Sequence, residues 1–138
     1  MSSGVITWNA GAVLNRTRAQ VVRGMTAASS YLATEAKRLV SRPNPEGDDP
    51  SKPGEPPKRV SGNLEMHVLA FNVEVDRSVV RGFFGVRDAE AVPYAMRLEF
   101  GFVGTDSLGR HINQEPRPFL RPTLLRNRAK IVAYLVKG

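Results

Sequence analysis

Six prolines and two glycines fall within residues 41–60, SRPNPEGDDPSKPGEPPKRV. Proline lacks a backbone N–H and fixes φ, so this stretch can be neither a helix nor a central strand. It divides the chain into a segment before it and a longer one after it. A structureless connection of this length is unusual inside a compact domain. Either it is a floppy insertion or a neighbouring subunit or partner holds it. On the second reading Pro43, Pro45, Pro53, Pro56 and Pro57 are candidate contact residues.

The segment before the loop predicts one long helix over residues 8–40. Leu14, Val21, Met25, Ala28, Leu32 and Leu39 recur at steps of three, four or seven and make one apolar stripe, which Val22 and Tyr31 widen. Arg16, Gln20, Arg23, Ser30, Thr34 and Lys37 share another face. Gly24 costs about 1 kcal/mol relative to alanine inside a helix, and suits close packing. After the loop, Ser61 is a candidate helix cap with Leu64 and Glu65 in the first turn. Leu69, Phe71, Val73 and Val75 then alternate with polar or small residues, as in a half-buried strand. SVVRGFFGV reads as its hairpin partner, with Gly82 and Gly85 marking a bulge or a close backbone approach.

AVPYAMRLEFG predicts a short helix, with Pro93 at its start, Gly101 past its end, and Tyr94, Met96 and Leu98 inward. FVGTDSLGRHINQE is a polar loop or hairpin. In RPFLRPTLLRNRAKIVAYLVKG, Pro118 and Pro122 rigidify an elbow around Phe119. Pro122 is placed to start a final helix, with Leu125, Ala129, Val132 and Val136 on one face and Leu124, Ile131 and Leu135 broadening it. Arg126, Lys130 and Lys137 share a different face. The fold class is α+β: a long N-terminal helix, a small antiparallel sheet, a short helix and a C-terminal helix, in one domain over residues 1–138.

No constellation for catalysis stands out. The chain has no cysteine and two histidines, His67 and His111, so a thiolate or zinc cluster is not expected. His67 falls in a strand pattern and reads as structural. The carboxylates of Glu46–Asp49 lack the ligand spacing of a calcium loop. GFFG and GFVG lack the lysine of a phosphate loop, and no serine sits in a nucleophile elbow. The expectation is a protein that is not an enzyme and has no metal or cofactor. No apolar run approaches a membrane span, and the first residues lack a secretion signal.

The net charge of +7 favours nucleic acid or an acidic protein surface as partner. Met1–Arg42 holds six basic residues and one acid; Arg117–Gly138 holds six and none. Arg16, Arg23, Lys37, Arg126, Lys130 and Lys137 are the candidate contacts. The interleaved aromatics of a single-strand binder are missing, and no helix-turn-helix or zinc-finger spacing appears.

The order of three motifs resembles one family. Ser61, Gly62 and Leu64 form a Ser-Gly-x-Leu turn after the prolines. Tyr94, Ala95, Glu99, Phe100 and Gly101 form a Tyr-Ala…Glu-Phe-Gly helix end. Arg117–Pro122 form an Arg-Pro-Phe-Leu-Arg-Pro elbow. Together, over residues 8–136, they resemble the head–tail joining, tail-completion or neck proteins of long-tailed bacteriophages. The chain departs from that pattern at Met66 and His67, and in the longer stretch Phe102–Pro116. Phe102 and Arg110 in that stretch are candidates for partner contact. The resemblance implies a structural virion protein, assembled in the host cytoplasm, forming a ring at the neck. The ring, a hexamer if it follows the tail tube, would join the head connector or stopper to the tube protein and pass double-stranded DNA through its lumen. The alternatives are a non-specific basic DNA-binding protein, or a sibling neck component such as the stopper or tail terminator.

Overall fold

A computed structural model of the chain describes residues 2–9, 18–44, 52–58, 62–77, 79–87 and 95–137. Its architecture is α+β. Strands β1 (Ser2–Asn9), β2 (Val68–Asp76) and β3 (Val79–Val86) form an antiparallel sheet in the order β1-β3-β2. Helix α1 (Arg18–Val40) packs across β2 and β3, and the short α2 (Asn63–His67) leads into β2. Helix α3 (Ala95–Phe100) precedes a separate hairpin of β4 (Phe102–Thr105) and β5 (His111–Gln114). Helices α4 (Leu120–Arg126) and α5 (Arg128–Lys137) close the chain, with α5 against α1 and α4 beside β1. None of the described helices is long and apolar enough to cross a membrane.

The α1 stripe is the spine of the core. Val21, Met25, Ala28 and Leu32 are buried as the periodicity predicts, and Ala36 and Val40 continue the stripe while Leu39 is only half-buried. Leu14 lies outside the described residues. Two glycines let the layers close. A Cβ on Gly82 would sit 2.3 Å from the Ser29 hydroxyl and 2.7 Å from Met25, so α1 lies directly on β3 there. A Cβ on Gly24 would sit 2.6 Å from the Tyr134 carbonyl oxygen, so α5 crosses α1 at that point. The neighbour that Gly24 accommodates is thus within the same chain.

Several expectations are corrected. The helix does not begin at residue 8: Ser2–Asn9 pair with β3, with Ile6 buried opposite Gly82. The β-branched run Val5-Ile6-Thr7 has the composition of a strand, and an edge position beside β3 lets it pair. On β2 the inward residues are Val68, Ala70 and then Val73, because the register shifts between Phe71 and Glu74. Before it, Leu69 and Phe71 alternate with Val68 and Ala70 and so face away from the core; the bulge then exchanges the faces and turns Val73 inward. His67 ends α2 and is not in the strand. Gly62, at φ 80°, occupies the cap position of α2, and Ser61 lies outside the described residues. On α3, Met96 is exposed and Glu99 is buried; Pro93 and Tyr94 lie outside the described residues.

Candidate functional site

The elbow is built around one carboxylate. Gly101, at φ 76°, ends α3 by donating its N–H to the Arg97 carbonyl at 2.7 Å. That turn leaves Glu99 buried on the last turn of α3. Its Oε2 accepts the backbone N–H groups of Phe119 and Leu120 at 2.9 and 3.0 Å, and its Oε1 accepts that of Arg121 at 2.8 Å. A helix start leaves four backbone donors without helical partners. Here Glu99 takes the first three, and the fourth position is Pro122, which has none. Pro122 is therefore the third residue of α4, not its first. Phe119 is fully buried, and Arg117 N–H donates to the Leu98 carbonyl at 2.6 Å. The two motifs around Glu99 and Phe119 are thus one joint. Spacing along the chain did not reveal this, since the partners lie 20 or more residues apart.

The expected single terminal helix is two helices. Asn127 breaks it at φ −111°, ψ 20°. Its Nδ2 donates to the Thr123 carbonyl at 2.7 Å, and its Oδ1 accepts the Tyr31 hydroxyl of α1 at 3.2 Å. The break decides which face is covered. Ile131 and Leu135 are buried, and Leu124 packs against the core. The single broad apolar face expected is thus divided, and its other row is open: Leu125, Val132 and Val136 are 42–45% exposed, and Ala129 is exposed beside them. A groove between this stripe and β1 is lined by Val5, Thr7, Leu124, Leu125, Arg128 and Val132.

The basic candidates divide likewise. Arg23, Arg126, Lys130 and Lys137 are exposed and Lys37 is half-buried; Arg16 lies outside the described residues. Arg126 is on α4, so the break removes it from a helical face shared with Lys130 and Lys137. The Lys130 ammonium lies 5.9 Å from the Tyr31 ring centroid.

The hairpin forms an arm beside the elbow. Asp106 organises its tip: Oδ1 accepts the N–H groups of Leu108 and Arg110 at 2.9 and 2.8 Å, and Oδ2 pairs with Arg110 Nε at 2.7 Å. The Arg110 N–H bond leads in holding the Asp106 carboxyl below its ordinary value near 3.8. At the base, the Arg97 guanidinium lies 4.0 Å over the Phe102 ring. Phe102 is half-buried, while Phe100, Val103 and Leu108 are 68–76% exposed.

The described part of the proline-rich loop is held by its own chain. Gly54 N–H donates to the Pro116 carbonyl at 2.9 Å, and the Arg42 guanidinium donates to the Pro56 carbonyl. Pro57 is buried within the protomer and so is no surface contact. Pro43 and Pro53 are exposed, Pro56 is half-buried, and Pro45 lies outside the described residues, as do Glu46–Asp49. Loop, hairpin base and elbow therefore meet at Pro116. No group of three His, Cys, Asp or Glu side chains converges among the described residues. No family profile, curated protein or solved structure matches this chain.

Proposed function

We propose that the chain is a structural subunit of a bacteriophage head–tail junction, of the tail-completion kind, that assembles as a ring through which the genome passes. The observation that carries the reading is the amount of large apolar surface left open at two separate places. One is the α4–α5 stripe; the other comprises the exposed Phe100, Val103 and Leu108 at the end of α3 and along the arm. Contiguous open apolar surface on a small domain marks protein contact. Two distinct surfaces suit a subunit with more than one neighbour, as a ring subunit that also meets another protein of the junction must have. The Glu99 joint adds support, because it unites two of the motifs on which the resemblance rests. The exposed basic residues keep a second reading in play, that of a non-specific DNA-binding protein.

Gradient fractionation of a nuclease-treated phage lysate tests the proposal. The chain should travel with complete virions or tails at a few copies each, and the copy number gives the ring size. If it stays at the top of the gradient, or leaves with the nuclease treatment, the virion role is wrong and DNA binding takes its place.

A further inference from the structure

The open stripe of α4 and α5 has a chemical environment that selects its occupant. Arg128 lines the groove beside it, Arg121, Arg126, Lys130 and Lys137 are exposed on the same two helices, and none of the five is paired with a carboxylate among the described residues. From Arg117 to Lys137 there is no acidic residue. Val132 and Val136 are one turn apart with Ala129 beside them, and Leu125 continues the row on α4. The row borders the groove against β1, where Arg128 lies on the lip with Val5 and Val132.

We infer that this groove and stripe receive an acidic amphipathic helix of a partner protein, its apolar face on Leu125, Val132 and Val136 and its carboxylates drawn to Arg128 at the lip and to the acid-free positive charge of α4 and α5. An apolar row in a groove is the receiving surface of helix-in-groove recognition, and the basic rim sets the sign of the visiting helix. Duplex DNA fits the rim but not the row, since it presents phosphates where an apolar surface is needed. A second copy docking stripe on stripe would set two acid-free basic helices against each other, and like charges in contact oppose association. The stripe is one of the two open surfaces that support the virion reading, but this inference and its peptide test rest on the stripe alone, so either can fail without the other.

The test uses the full chain and a fluorescein-labelled synthetic helical peptide, with leucine at every third or fourth position and glutamate elsewhere. Fluorescence anisotropy should show saturable binding, and the peptide with glutamine in place of glutamate should bind more weakly. The double substitution Val132→Ser, Val136→Ser should weaken binding by at least about tenfold, as loss of an apolar anchor does. Both positions are partly exposed, so the fold should survive, and circular dichroism checks that it does. Arg126→Glu with Arg128→Glu should weaken the acidic peptide and spare the glutamine one. The inference is overturned if no peptide binds, or if the valine substitutions leave acidic-peptide binding unchanged. It is overturned equally if they abolish duplex-DNA binding instead, or if sedimentation shows a dimer that they convert to monomer, since the occupant would then be DNA or a second copy.

Discussion

Glu99 shows how one side chain can join two elements. It gathers three backbone donors at 2.8–3.0 Å at the start of α4, and it is buried while doing so. Removing it leaves those amides without a partner at a site where water has little access. Each such donor costs about 1–3 kcal/mol, and a lost cap alone costs about 1. Glu99→Ala should therefore lower stability by at least about 3 kcal/mol in urea unfolding, with Glu99→Gln intermediate because one acceptor oxygen remains. An Ala variant as stable as the parent would mean that the cap is not structural. Phe119, buried in the same joint, adds on the order of 2–3 kcal/mol through its ring. Asp106 supplies a pH dependence. Its folded carboxyl is held below 3.8, so it favours the ordered tip above that value. That contribution is lost as pH falls through the lower folded value. The Leu108 and Arg110 amides should accordingly stay protected from exchange at pH 4 and lose protection only further into acid. Protection lost already near pH 5 would refute the role.

At the scale of elements, the crossing of α1 and α5 turns on Gly24. Alanine there would raise helix propensity by about 1 kcal/mol. Its Cβ, however, would meet the Tyr134 carbonyl at 2.6 Å and the Leu135 Cα at 3.0 Å, both backbone atoms that cannot rotate away. Overpacking costs about 1–3 kcal/mol, and an unyielding neighbour puts this site toward the upper end. Gly24→Ala should thus be net destabilising by roughly 1–2 kcal/mol in a thermal or urea melt. A stabilised variant would show that α5 yields readily. The same elements explain how one expected apolar face came to be divided. Leu124 and Ile131 are seven residues apart, and so are Leu125 and Val132. Periodicity scores both rows alike. The Glu99 cap sets the direction of α4, and the Asn127 break then orients α5 so that Ile131 and Leu135 go inward.

At the scale of the whole molecule, the elements from α1 to the β4–β5 hairpin were legible in the sequence, and most of the contacts that define surfaces were not. The prolines of residues 41–60, the α1 stripe, the β2–β3 hairpin, the short α3 with Gly101 after it, and the β4–β5 segment were all readable locally. Each depends on neighbours in the chain: missing N–H groups, 3.6-residue periodicity, and valine–phenylalanine runs. The strand at Ser2–Asn9 was missed because an edge strand draws its identity from its partner β3, about 75 residues away along the chain by the register Thr7–Arg81. The loop's tie to Pro116 was missed for the same reason, being a bond between distant backbone groups. The α+β class, the apolar stripe of α1 and the acid-free basic charge of the last helices thus follow from residue order and composition alone. Only the tertiary structure decided which apolar row of those helices is covered, because burial belongs to the packing partner and two rows of equal periodicity offer it the same invitation.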